Sequence, residues 1–329
     1  MMNKLKKIAV ILFSAVLLLA ACGSGDKNES SGNEGNGKKY TVGVTQIVEH
    51  PSLNAAFEGF KQAIADAGLD VDYQVQNAQN DNSANVTIAS NLVNSGVDLI
   101  FANSTSSAQA VASETQEIPI VFTSVTDAVG AQLVDSLENP GGNVTGTIDL
   151  HPDVIPLTMK FLKEQLEAKN IGVVFNAGEQ NARVQIDKVK ELAKEMDLNI
   201  VEASVATSAE VKQAVDSLIG KVDSLYIIKD NTVVSALESV TSVAFDNKLP
   251  MMVGELDSVK RGGLAAYGFS YHDLGYETGQ MAVKILTGES KPAELPVQVT
   301  KNLKFVVNEE TASTIGLDIK EEWQAEISE

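Results

Sequence analysis

From Tyr40 onward the chain alternates short apolar runs with amphipathic segments, a rhythm that few folds accept. "YTVGVTQI" reads as a strand, and "PSLNAAFEGFKQAIADAG" follows with Leu53, Phe57, Phe60, Ile64 and Ala67 at helical spacing. Pro51 stands in the first turn of that helix and Gly68 at its end, where helix termini favour them. "VDYQVQ" predicts a second strand, "NSANVTIASNLVNSG" a helix stopped by Gly96, and "VDLIFA" a third strand. A helix over 106–116 and the strand "IPIVFTSV" complete the pattern. Apolar strands separated by helices are βαβ units, which build a parallel sheet with helices on both faces.

The rhythm then restarts. "PDVIPLTMKFLKEQLEA", "EQNARVQIDKVKELAKEM", "SAEVKQAVDSLIG" and "NTVVSALESVTSVAFDNK" read as helices. Between and after them "IGVVFN", "LNIVEASV", "VDSLYIIKD", "LPMMVGE" and "GLAAYGFS" read as strands. Roughly 290 residues are more than one core usually serves, so two α/β lobes are expected. "LENPGGNVTGTIDLHPD", dense in Gly, Asn and Pro, marks the hinge. The reading is two doubly wound parallel-sheet lobes, residues 40–148 and 149–271, with a return helix over about 272–295 crossing to lobe one. A strand-like segment over about 297–329 is assigned to lobe two, which makes the hinge multi-stranded.

Before Tyr40 the sequence is of another kind. Lys4, Lys6 and Lys7 precede an apolar run from Ile8 to Ala21, too short for a comfortable membrane span and the right length for a signal-peptide core. Residues 1–21 are read as that signal peptide. "LAAC", ending on Cys22, resembles the lipobox of bacterial lipoproteins, in which the cysteine sulfur takes a diacylglycerol. The resemblance implies a lipid anchor, palmitate among its acyl chains, on the extracytoplasmic face of the bacterial cell membrane. Residues 22–39, rich in Gly, Ser and Asn, are the flexible tether. Cys22 is the only cysteine, so no disulfide is possible. The whole chain carries 25 Lys+Arg and 44 Asp+Glu; without the three signal lysines the balance is 22 against 44, or −22. Such a charge repels phosphate backbones and excludes nucleic acid as a natural partner.

In parallel α/β sheets ligands bind beyond the carboxyl ends of the strands, where helix N-termini converge. Lobe one places Glu49 and His50 there, then "NSTSS" with Ser104, Thr105 and Ser106, then "SVTD" with Ser124, Thr126 and Asp127. Lobe two places Asn176 and Glu179, then Asp230 and Asn231, then Glu255. A helix start with free N–H groups and hydroxyls suits a carboxylate, and an acid across the cleft suits an ammonium. Plain N-capping by Ser104 and Asp230 is the alternative. Tyr73, Tyr267 and Tyr271 read as packing, and Trp323 receives no role. There is no Gly-x-Ser-x-Gly elbow, P-loop or Rossmann fingerprint, and no metal-spaced histidine pair, so neither catalysis, cofactor nor metal is expected.

Taken in order, "EHPSLNAAFEGF", "VFTSVTDAVGAQLV", "NPGGNVTG", "IGVVFNAGEQN", "IIKDNTVVSA" and "YHDLGYETGQMAVKILTGE" resemble the tryptophan/tyrosine-type ABC-transporter substrate-binding lipoproteins. The likeness covers nearly the whole chain from Tyr40. It implies a type I periplasmic-binding-protein fold, and a monomer that delivers an aromatic amino acid to a permease with a cytoplasmic ATPase. Carried onto this sequence, Ser104–Ser106 and Thr126 would hold the ligand carboxylate and Asp230 its ammonium. Glu49, His50, Asn176 and Glu179 would line the remainder. A ligand-binding surface sensor and a cell-surface hydrolase are the rival readings.

Overall fold

The computed structural model describes residues 38–328; the signal peptide, Cys22 and most of the tether lie outside them. Lobe one begins one residue before the expected boundary, because Lys39 already belongs to the first strand.

The strands are β1 (Lys39–Gln46), β2 (Asp70–Asn77), β3 (Leu99–Asn103), β4 (Ile120–Val125) and β5 (Val144–Ile148) in the first half. The second half supplies β6 (Asn170–Asn176), β7 (Asn199–Val205), β8 (Ser224–Ile227), β9 (Met251–Val253) and β10 (Ala265–Gly268). Three short strands follow: β11 (Gln298–Val299), β12 (Lys304–Val307) and β13 (Glu326–Ile327). They form two sheets, ordered β11-β5-β4-β3-β1-β2 and β13-β12-β10-β9-β8-β6-β7. All described pairings are parallel except β10 with β12. Every residue of β3 and β4 is buried, which is why "LIFAN" and "IVFTSV" run apolar without alternation. At the sheet edge β2 alternates instead, with Asp70, Asp72 and Gln74 turned away from the Val71–Tyr73 face.

The chain crosses between lobes three times: after β5, after β10, and between β11 and β12. The third crossing corrects the expected boundary, since residues 298–299 pair with β5 in lobe one rather than lying in lobe two. After the second crossing the helix Tyr271–Leu286 lies against the helix Pro51–Asp66 with backbone touching backbone. A Cβ on Gly275 would fall 1.8 Å from the Ala56 carbonyl oxygen, and one on Gly59 would fall 1.9 Å from that of His272. Only glycine permits that approach.

Trp323 is a core residue of lobe two. Its ring meets Phe161 edge-on at 4.9 Å and its indole N–H donates to Gln165 Oε1 at 3.0 Å. The segment "NTVVSALESVTSVAFDNK" forms two helices, Asn231–Val234 and Leu237–Asp246, broken at Ala236. The first turn is fixed from outside the helix, by carboxylates described below, and its direction follows those anchors.

Candidate functional site

The carboxyl ends of both sheets face a common cavity of about 20 Å³. Lobe one contributes His50, Leu53, Ser124 and Thr126; lobe two contributes Asn181, Lys229, Asp230, Asn231, Val234 and Glu255. Asp149 and Tyr271 reach it from the first two crossings. The lobes touch beside it, where Asn80 Nδ2 donates to Thr232 Oγ1 at 2.7 Å.

On the lobe-one wall a register shift between Phe122 and Val125 of β4 turns Ser124 into the left-handed region, at φ 56°. Ser104, at φ 119° and ψ 162°, is a second strained residue beside it. Each such conformation costs on the order of 1–3 kcal/mol and persists where surrounding structure enforces it. Asn103 does the enforcing: its amide donates to Gln46 and Leu53, so its oxygen must accept the Ser124 hydroxyl, at 2.9 Å.

A buried polar chain crosses the cavity floor. Lys229 Nζ donates to the Tyr271 hydroxyl at 3.2 Å, which donates to Asp149 Oδ2 at 2.6 Å. Thr126 donates to the other Asp149 oxygen at 3.1 Å. Burial and the neighbouring Asp149 charge push the Tyr271 phenol well above its ordinary value, so it stays a donor. The Lys229 ammonium also lies 4.9 Å and 5.0 Å from the ring centres of Phe269 and Tyr271, so its charge is held partly by π faces.

The lobe-two wall is organised by two carboxylates. Glu179 accepts from Asn181 Nδ2, from Asn231 N and Nδ2, and from Thr232 N and Oγ1, all between 2.7 and 3.0 Å. Asp230 caps the following turn through Val233 N at 2.9 Å and accepts Asn176 N at 2.6 Å. Burial, and then the charge of Glu179, raise the Asp230 carboxyl well above the usual range. Burial and the charge of Glu255 likewise raise Asp257. Among the charged side chains on the cavity wall, Asp149, Asp230 and Glu255 face Lys229 alone, an arrangement that suits an added cation.

Of the residues singled out in the sequence, His50, Ser124, Thr126, Asp230, Asn231 and Glu255 meet at the cavity. Glu49 is exposed, Ser104 and Thr105 are buried, Ser106 and Asp127 are half-buried, and none of the five lines the cavity. Ser104 caps its helix through Ser107 N, and Asp127 accepts from Gly130 N. Asn176 and Glu179 support the wall without lining it; Glu179 has no oxygen left uncommitted. The expected division into donors on lobe one and acids on lobe two needs correction. Both lobe-one hydroxyls are already donating, and the cation Lys229 lies on lobe two. Asp149, Asn181, Lys229 and Tyr271 were missed. Extending the strand-end rule to β5 and β10 finds Asp149 and Tyr271, and a lysine closing the apolar run "LYIIK" is an anomaly visible in the sequence.

His50 is buried, and desolvation lowers its pKa below 6.5, with Glu255 opposing the shift. The unfolded chain takes up this proton as pH falls through about 6.5 while the folded chain refuses it. His50 therefore contributes stability above that pH, lost as pH falls toward its folded value. Asp230, being raised, acts in the opposite direction, so the wild type alone does not isolate His50. The expected result is a steeper drop in Tm from about pH 7.5 to about 5.5 in the wild type than in His50→Gln; equal slopes would refute the assignment.

Among the described residues no helix is long and apolar enough to cross a membrane, and no cluster of His, Cys, Asp and Glu is arranged to hold a metal. The family model described as ABC transporter substrate binding protein matches residues 41–329. A tyrosine-binding protein of Clostridioides difficile (strain R20291) is 40% identical over 96% of this chain and 94% of its own. Among solved structures, an ABC domain in complex with L-Trp from Streptococcus pneumonia matches at TM-score 0.84 with 32% identity, over 88% of this chain and 100% of that one. The ligand-free, open structure of a substrate-binding protein with adhesive properties from Clostridium difficile is more similar in sequence, at 41%. It matches at only 0.65, over 88% of this chain and 99% of that one. The lobes here are thus set more as in the L-Trp complex than as in the open form, in keeping with the Asn80–Thr232 contact. With a family match from the first strand to the C-terminus, and both lobes closing on a polar cavity, the chain belongs to the ABC transporter substrate-binding protein family.

Proposed function

We propose that the protein is a lipid-anchored solute-binding protein of an ABC importer that closes on an aromatic L-amino acid, tyrosine or tryptophan. In this reading it is held outside the membrane through Cys22, acts as a monomer without cofactor, and passes its ligand to a permease coupled to a cytoplasmic ATPase. The observation that carries the proposal is the interlobe cavity, with Asp230 and Glu255 for an ammonium and Lys229 for a carboxylate. Leu53 and Val234 offer apolar surface from opposite lobes for a ring. The tyrosine-binding and L-Trp-bound relatives support the choice of ligand class. Closure removes water from both charged ends, which strengthens each pairing and makes a ligand lacking one end costly to hold. The family match supports a role in binding rather than turnover.

A thermal-shift screen against the common amino acids tests this. Ligand at about a hundred times its Kd stabilises the folded state by about 2.7 kcal/mol, or about 5 °C for a chain of this size. Tyrosine or tryptophan should stand clear of the rest. A panel with no shift, or a shift confined to acidic or basic amino acids, would reject the ligand class.

A further inference from the structure

Among the described residues, seven buried side-chain polar atoms lack a hydrogen-bond partner, and two of them belong to residues on the cavity wall: His50 Nδ1 and Asn181 Oδ1. The imidazole nitrogen can be donor or acceptor according to tautomer. The amide oxygen has no such freedom. Both hydrogens of Asn181 Nδ2 are engaged, one by Glu179 Oε2 at 3.0 Å and one by the Lys229 carbonyl at 2.9 Å. Flipping the amide would set its oxygen against two acceptors, so Oδ1 is held as an acceptor. Asn181 is 3% exposed, where an unmet acceptor costs about 1–3 kcal/mol. Gln185 holds the Lys229 peptide from the other side, through both its N–H and its carbonyl, and this fixes the frame in which Asn181 sits.

We propose that Asn181 Oδ1 is a specificity-determining acceptor for one N–H of the ligand's α-ammonium, completing with Asp230 the group that recognises an amine. This rests on the amino-acid reading above. An ammonium carries three donors and needs several acceptors when desolvated, and a third nearby carboxylate would add repulsion between acids already crowded by Glu179. A neutral, oriented carbonyl supplies the acceptor without the charge. Glu179 then orients Asn181 and the Asn231–Thr232 turn together and touches no ligand itself.

The test is a cycle of protein and ligand changes. Affinities for L-tyrosine and its des-amino analogue 3-(4-hydroxyphenyl)propionate are measured by calorimetry in the wild type, Asn181→Ala and Asn181→Asp. The inference predicts at least a tenfold loss for L-tyrosine in Asn181→Ala and less than a threefold change for the analogue. Asn181→Asp, which keeps an acceptor there, should retain the preference for the amine even if its Tm falls. Equal losses for both ligands, or an aspartate variant indistinguishable from alanine, would make Asn181 a purely structural residue and overturn the inference. Should the variants not fold, the wild-type complex decides: a ligand nitrogen within about 3.3 Å of Asn181 Oδ1 supports the inference, and one beyond about 4.5 Å overturns it. A wild type that binds the analogue as tightly as L-tyrosine overturns it as well, whereas one that binds no amino acid sinks the parent reading with it.

Discussion

Asp230→Ala is expected to weaken amino-acid binding by about 2–5 kcal/mol, because it leaves a buried ligand ammonium without its anionic partner. The same change removes the acceptor for Val233 N and for Asn176 N. Losing the cap costs about 1 kcal/mol, and an orphaned buried N–H costs about 1–3 kcal/mol. Part of that cost is returned, since burial beside Glu179 already disfavours the Asp230 charge. A net stability loss of about 1–3 kcal/mol in urea denaturation is the expected balance. Asp230→Asn separates charge from shape: it keeps the volume and one acceptor but turns an amide toward a backbone donor. Titration calorimetry should find both variants impaired in binding. If each binds within a few tenths of a kcal/mol of wild type, Asp230 is a helix cap and the ammonium is held elsewhere.

The largest stability effect is expected at Gly275. Valine there would put Cβ 1.8 Å from the Ala56 carbonyl oxygen and 2.7 Å from its Cα, so no rotamer relieves the clash. The two helices must separate, opening the packing of Phe60 against Phe101, whose ring centres lie 4.2 Å apart. A loss of about 3 kcal/mol or more is expected by chemical denaturation. The displacement also reaches the site, because Tyr271 begins the helix that Gly275 lies on. A Gly275→Val protein with wild-type stability would mean that the helices do not cross at backbone contact.

Much of this architecture was legible in the sequence, for identifiable reasons. The runs "LIFAN" and "IVFTSV" are apolar because helices cover both faces of their sheet, and the strand–helix rhythm carried the two-lobe reading with it. What escaped depended on partners distant in sequence. β11 is two residues long and recognisable only by its pairing with β5. Trp323 looked like part of a polar tail because its partners Phe161 and Gln165 lie far earlier in the chain. The site divides in the same way. Asp230 and Thr126 follow apolar strands and announce themselves by position. Glu179 and Asn181 stand two residues apart in "EQN" with different roles, which only the bonding of Glu179 to the Asn231–Thr232 turn reveals. Ser104 and Ser106 have the composition of an anion site, yet neither lines the cavity and Ser104 is fully buried.

A crystal structure of the protein with bound L-tyrosine or L-tryptophan addresses the account at its root. The ligand is predicted between the lobes, its ammonium within about 3.2 Å of Asp230 and its carboxylate within about 4 Å of Lys229 Nζ. A ligand seated outside the Asp230–Lys229 cavity, or turned with its carboxylate toward Asp230, would contradict it.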